Sequence, residues 1–459
     1  MGFTYNPNEL SDFARYYGFH YDKWEPLSLV KDVLIDMERG LAGLSSSLPM
    51  IPSYITPMAK IPGGRTVVAL DAGGTNLRAS LIRFDDNGAI AKQDTVKTAM
   101  PGTTGRVSTD QFFDLIAQTL MPLLSSVSAI DGIGFTFSYN IEIQTNADGV
   151  LKAFSKEVDA PEVIGKAIGA CLRDALVRQG YKYQGPIVLL NDTVATLLSG
   201  LAAIPADGEA VLTKNAYGYP GGPVIGFILG TGFNTAYPET TIPKIGFESH
   251  NAPQIVVCES GTFNLRCRGV LDIEFDSTTK TPGAYSLEKT TAGAYLGPLT
   301  LHILKQAIRD KVICFNKSDE IMAMSHLETR FVNEFTHKPL AAEGPLGSLF
   351  GPDESEALAA FQYLVSIITE RGALFSASVL AATVKRVNAG LRDTIRPFAP
   401  VRIAVEGTTY MIYKGMRRSL ESYLHLMLAN RKPLPYCVSP VEQASLYGAA
   451  VAALSKDHQ

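Results

Sequence analysis

TVVALDAGGTNLR, residues 66–78, decides the fold. Thr66 to Leu70 is a short apolar, β-branched run, the signature of a buried strand. A second run, Leu77 to Phe84, alternates and ends in Asp85-Asp86-Asn87-Gly88. An Asn-Gly pair there predicts a tight hairpin, because both central residues of such a turn need positive φ. The region therefore opens with antiparallel strands whose first turn holds Gly73 and Gly74. Two glycines let a backbone approach a phosphate and aim N–H groups at its oxygens. Thr75 and Asn76 add neutral donors. Asp71, at the strand end, is placed to hold Mg²⁺, directly or through water. Arg78 is placed to neutralise transferring charge. The competing reading is a plain hairpin turn, which asks for one glycine and no acid.

The same style recurs along the chain. Pro186 to Leu190 is apolar and runs into Asn191-Asp192. Val224 to Leu229 runs into Gly230-Thr231-Gly232, Gln254 to Val257 into Cys258-Glu259, and Val401 to Val405 into Glu406-Gly407-Thr408. Helical patterns alternate with these strands: 24–48, 159–180 (Asp159 as N-cap, Glu162 completing a capping box, Gly180 closing), 290–308 and 355–382. Strands alternating with helices indicate an α/β architecture. Their recurrence in both halves suggests two related domains facing each other. Residues 316–352, mixed and Gly/Pro-punctuated, read as an insertion without assigned chemistry.

An acid ending a buried strand is costly unless it works or is paired. Asp192 can accept the proton of an attacking hydroxyl, or it can cap the helix that follows. Gly230–Gly232 suits a second phosphate loop; alone it also reads as a plain turn, and it gains weight as the second such loop after an apolar strand. Ser138, Ser155, Lys156, Glu259 and Glu288 are the residue types that give a polyhydroxylated ligand acceptors and short donors; each taken alone reads as a solvated loop residue, and Glu259 stands out because it follows a buried strand.

The chain has 459 residues, 46% hydrophobic and 19% charged, with a formal net charge of -4. That length exceeds one core and predicts two domains. Without a basic stripe, nucleic acid is not expected as a partner. Five cysteines at 171, 258, 267, 314 and 437 form no C-x-x-C, which fits a reducing compartment. The sequence reads as lacking the ~18 apolar residues of a membrane span and a secretory leader, so a cytoplasmic protein with no membrane partner is expected. Oligomeric state is left open.

Taken in order, DAGGTNLR, FTFSYN, LLNDTVAT, GTGFN, CESGTF, SLEK and VEGTTY resemble the hexokinase family, from about Met50 to the C-terminus. The resemblance implies a two-domain actin-like ATPase (ribonuclease H-like) fold with mixed sheets and an interdomain cleft. It implies a small domain of residues 64–198 plus 441–459, and a large one of 1–63 plus 199–440. It implies ATP- and Mg-dependent phosphorylation of the 6-hydroxyl of glucose, mannose or fructose, the first step of glycolysis. Asp192 would be the general base, with Lys156 and Arg78 assisting. Ser138, Ser155, Lys156, Asn191, Asp192, Asn234, Glu259 and Glu288 would bind sugar. Asp71, Gly73, Gly74, Thr75, Asn76, Gly230, Thr231, Gly232, Gly407 and Thr408 would bind the nucleotide. Departures from the family pattern fall at Asn140, Val257, Ser260, Glu406 and Gln443–Leu446. A weakly active sugar sensor and an actin-like or chaperone-like ATPase are the competing readings.

Overall fold

The computed structural model describes residues 5–58, 61–154, 158–202, 222–249, 252–266, 268–339, 341, 343–351, 353–389, 400–429 and 434–455. Two mixed sheets organise it. The first orders its strands Ile90–Ala99, Asn76–Phe84, Thr66–Gly73, Gly132–Phe137, Ile187–Leu190. Its first two pairings are antiparallel and its last two parallel. The second runs Ile51–Pro52, Gln254–Val257, Phe233–Glu239, Val224–Leu229, Val401–Glu406, Tyr436–Pro440. There too the outer pairings on one side are antiparallel and the last two parallel. Apart from the two-residue edge strand, both sheets repeat one order and one set of directions. The chain thus contains two copies of one topology, as the recurring strand-then-turn pattern suggests.

Two helices lie between the sheets. Asp192–Ala202 rests on the second sheet, where a methyl group on Gly226 would lie 2.3 Å from the Thr193 carbonyl oxygen. Ala444–Leu454 rests on the first, where a methyl on Gly134 would lie 1.8 Å from the Ala449 carbonyl oxygen. The helices meet each other at Gly448, where a methyl would come within 2.1 Å of the Ala195 carbonyl. Small residues at these points let backbones touch. One core joins Val67, Ile82 and Val188 of the first sheet to Val224, Ile255 and Ala404 of the second through these helices. Each sheet has a further core on its other face.

Three expectations need correction. The turn after Phe84 is not a two-residue hairpin. Only Gly88 is left-handed there (φ +84), and the Asp85 carboxylate accepts from Asn87 N and Ala89 N to build a longer loop. The helix expected over 159–180 is broken. Pro161–Val163 is a single 3-10 turn, Gly165 is left-handed (φ +84), and the α-helix is Ile168–Arg178. Its first turn is satisfied by Asp148, which accepts from Gly169 N and Ala170 N, rather than by the expected Asp159 and Glu162. Finally, Ser355–Asn388 is long and apolar enough to cross a membrane by composition, contrary to the sequence reading; 89% of its apolar window is buried inside the protein. It packs as the central helix of the second sheet's core.

Candidate active site

Parallel strands Thr66–Gly73, Gly132–Phe137 and Ile187–Leu190 end at one rim, where open α/β sheets bind ligands. That rim presents Asp71–Asn76, Ser138 and Asn191–Asp192. Asp71 is buried and faces Arg78 across the ladder. Arg78 Nε donates to Asp71 Oδ2 at 3.0 Å, and Nη2 donates to the same oxygen. The pair satisfies a carboxylate that burial would otherwise penalise. A methyl on Gly73 would lie 3.4 Å from Asp71 Oδ1 and 3.8 Å from Ser138 Oγ, so the bare backbone borders both groups. Thr75 and Asn76 are exposed at the turn's tip, where Asn76 Nδ2 donates to Thr75 Oγ1. Asn191, not Asp192, caps the next helix: its Oδ1 accepts from Thr193 N at 2.8 Å. Asp192 is that helix's first residue, half-buried, and accepts from Thr193 Oγ1 at 3.2 Å.

The second sheet brings its loops to an equivalent rim. Gly230–Gly232 follows Val224–Leu229, and Gly407–Thr408 follows the adjacent Val401–Glu406. The two loops touch backbone to backbone, with Thr409 Oγ1 donating to Gly230 O at 2.8 Å. Asn234 Nδ2 donates to Glu259 Oε1 at 3.0 Å, while its Oδ1 accepts from Thr235 N and Ser260 N. Glu288 Oε2 accepts from Phe233 N at 3.1 Å. A methyl on either Gly232 or Gly261 would come within 3.0 Å of that same oxygen, so both glycines make room for it.

The acids from the two rims act on one another. Burial first, and then the charge of Asp192, pushes the Glu259 carboxyl up to about 7; Asn234 opposes the shift. Glu288 is raised by burial and by Asp192, against the Phe233 N–H and Lys289. Glu406 is raised by burial, then by Asp192 and Asp71. Asp192 from the first rim therefore lies close enough to three glutamates from the second to raise each of them. Several perturbed carboxylates gathered at one place mark a functional site. Ser155 and Lys156 lie outside the described residues.

Beside Thr231 and Thr408 lies a cavity of roughly 350 Å³, lined also by Gly293, Pro298, Thr329, Asn333 and Tyr413. Thr329 and Asn333 come from the stretch 316–352 that the sequence reading left without chemistry. No local pattern marks them; only packing of Thr329–His337 against Gly293–Arg309 brings them to the Gly230–Gly232 loop.

Two family models described as hexokinase match residues 15–202 and 224–455. This chain belongs to the hexokinase family. Hexokinase-2 of Candida albicans is 26% identical over 455 residues, covering 93% of this chain and 88% of that one. Hexokinase-7 of Oryza sativa subsp. japonica is 26% identical over 439 residues, covering 91% and 90%. Among solved structures, a hexokinase from Schistosoma mansoni complexed with glucose aligns at 23% identity and TM-score 0.71, covering 98% of this chain and all of that one, 100%. Another hexokinase crystal structure aligns at 22% identity and TM-score 0.76, covering 98% and 99%. The fold is the two-domain actin-like ATPase fold. As a hexokinase, the chain is an ATP:hexose 6-phosphotransferase.

The positions at which this hexokinase departs from the family pattern are structurally accommodated. Ser260 is fully buried and its hydroxyl pairs with that of Thr235. Val257 is buried in the ladder between Ala236 and Ile51. Glu406 accepts from Thr196 Oγ1 at 3.4 Å. Gln443 is left-handed (φ +49), and its amide engages Gln93 and Tyr447. Asn140 is exposed at the start of the Asn140–Ile143 strand.

Proposed function

We propose that this hexokinase phosphorylates the 6-hydroxyl of glucose and related hexoses, mannose and fructose, with Asp192 as general base. The observation that carries the proposal is the convergence of Glu259, Glu288 and Glu406 on Asp192. Glu259, Glu288, Asn191, Asn234 and Ser138 supply the acceptors and donors for sugar hydroxyls, with Ser155 and Lys156 assigned by motif alone. Asp192 takes the 6-hydroxyl proton as the oxygen attacks phosphorus. Gly73–Asn76 and Gly230–Gly232 hold the phosphates, with Gly407–Thr408 supporting the second loop. The cavity beside Thr231 and Thr408 is assigned to the nucleoside. Arg78 lends positive charge through its pair with Asp71. Most of the acceleration comes from positioning and charge neutralisation, since phosphoryl transfer asks for little covalent chemistry.

Magnesium fits this site by donor chemistry. Asp71 Oδ1 borders the bare backbone of Gly73, and a carboxylate oxygen suits a hard cation. Among the described residues no three possible ligands are gathered, so the cation would be held mainly by water and phosphate, with Asp71 bridging through water. When bound, it neutralises charge on the transferring phosphates. The division into residues 64–198 plus 441–459 and 1–63 plus 199–440 is supported by Ala444–Leu454 lying on the first sheet. A cytoplasmic setting is supported by the absence of disulfides at Cys171, Cys258 and Cys314. No nucleic-acid or membrane partner is proposed, in keeping with the slightly negative net charge.

The test is ADP release from Mg·ATP with glucose, mannose, fructose or no sugar, beside Asp192→Ala. Sugar-dependent ADP release, falling ~10²–10⁴-fold in the variant with sugar binding retained, is expected of a lost general base. Near-normal turnover of Asp192→Ala would remove Asp192 from that role.

A further inference from the structure

Tyr139 is the residue after Ser138 and lies 6% exposed. Its ring centroid is 4.9 Å from that of Phe137 and 5.1 Å from that of Phe154, so the ring is fixed on two sides. Its hydroxyl donates to the Gly74 carbonyl oxygen at 2.9 Å. Burial and the nearby Asp71 charge push the phenol up to about 12, so it remains a neutral donor through the working pH range. Phe154 immediately precedes Ser155. One side chain therefore touches the glycine turn assigned to phosphate and stands next to both segments assigned to sugar.

The geometry of the peptide unit gives this contact its consequence. Gly73 pairs with Asn76 across the ladder, so Gly74 and Thr75 form the turn. Gly74 is left-handed (φ +76) and Thr75 is not. A glycine-first turn of this kind can reorient its central peptide plane with little steric resistance. In a planar trans peptide the Gly74 carbonyl and the Thr75 N–H point in opposite directions. Holding that carbonyl on Tyr139 therefore turns the Thr75 N–H away from the aromatic cluster. That is the donor a phosphate in a nest of backbone N–H groups requires. Ser138 is tied to the same strand, its N–H donating to Ala72 O at 3.1 Å.

We infer that Tyr139 is a positioning residue that couples the hexose seat to the first phosphate loop, by fixing the Gly74–Thr75 peptide from the segment that carries Ser138. Hexose binding, by ordering Ser138 and its neighbour, then improves the nucleotide's seat, and the coupling is reciprocal. A tyrosine serving only as core would have no such effect, since phenylalanine fills the same space. The inference rests on assigning Gly73–Asn76 to phosphate and Ser138 to sugar.

The test is Tyr139→Phe, which keeps the ring contacts and removes the hydrogen bond. At saturating hexose, the KM for Mg·ATP should rise about three- to tenfold, the range expected for one neutral hydrogen bond. The hexose dissociation constant measured without nucleotide should stay within about twofold. The ratio of dissociation constants for a non-hydrolysable ATP analogue, without and with hexose, should fall toward one. Ser138→Ala and Gly74→Ala are run in parallel. If they leave sugar and nucleotide constants respectively unchanged, the assignments beneath the inference fail. If they shift those constants while Tyr139→Phe leaves both the ATP KM and the ratio unchanged, the assignments stand and the coupling role is overturned. A fall in kcat with equal loss of hexose affinity and thermal stability would also overturn it, as damage to the core alone.

Discussion

Glu259 is held in the left-handed region (φ +55) at the end of Gln254–Val257, with Asn234 on one carboxylate oxygen. Its carboxyl is pushed up to about 7, chiefly by burial and then by Asp192. An ionised carboxylate accepts sugar hydroxyl hydrogens better than a protonated one. The KM for hexose should therefore rise as pH falls below about 7, by at most tenfold per pH unit for one proton. Glu259→Gln should show a higher KM at about pH 8 and lose this dependence; a pH profile of KM for both proteins checks it. The same shift bears on stability. The folded-state value lies above the ordinary 4.5, so ionisation is harder in the fold than in the unfolded chain. The wild type thus carries a penalty that is complete above the folded value and relieved as pH falls toward 4.5. Glu259→Gln should be more stable than wild type by about 1–3 kcal/mol near pH 8, and the gain should vanish near pH 4.5. Thermal unfolding at several pH values measures it. A constant difference across that range would assign the effect to packing.

At the scale of elements, each active segment is a short loop released by a buried strand. One of the loops depends on a position that only glycine fills. Gly407 has φ +123, and a methyl there would meet Leu229 O at 2.3 Å and Gly230 N at 2.6 Å. Gly407→Ala combines backbone strain with displacement of the Gly230 loop, a penalty of order 1–3 kcal/mol. The KM for ATP should rise by roughly tenfold or more, while hexose affinity measured calorimetrically changes little. Equal weakening of both ligands would show that the loop serves the whole cleft rather than the nucleotide side. Sequence made these loops legible because each follows an apolar run with small or acidic residues. The break at Gly165 was not legible, because apolar residues from Val163 to Leu176 keep a helical period across it. Asp148, which is distant in sequence, caps the later start by tertiary contact.

At the scale of the molecule, two similar sheets are joined by Asp192–Ala202 and Ala444–Leu454, packed together through Gly448 and Ala195. Asp192 thus begins a helix that leans on the second sheet while its strand belongs to the first. The last helix is distant in sequence from the first sheet that it covers, and Thr136 Oγ1 also donates to Ser445 O at 2.8 Å. Ending the chain after Pro440 would uncover the face of the first sheet and the side of helix Asp192–Ala202 against which Leu446, Ala449 and Val451 are now buried. Losing several fully buried side chains, each worth about 1.5–3 kcal/mol, removes much of a stability of roughly 5–15 kcal/mol. The truncated chain should lack a cooperative unfolding transition by calorimetry. A transition near the wild-type Tm would mean that this helix only decorates the fold.

Sequence alone determined the strand-and-loop vocabulary: which apolar runs form strands, which loops carry Asp71, Asp192, Gly230 and Glu259, and which family the chain resembles. Those features are local, because burial, turn chemistry and strand length act over a few residues. Tertiary structure alone decided that Asp192 from one rim stands among three glutamates from the other. It placed Thr329 and Asn333 at the cavity, gave Asp71 to Arg78, and set Tyr139 on the Gly74 carbonyl. Each of these is a contact between segments separated along the chain or across a ladder. Its geometry follows from sheet order and helix packing, which no short pattern of residues encodes.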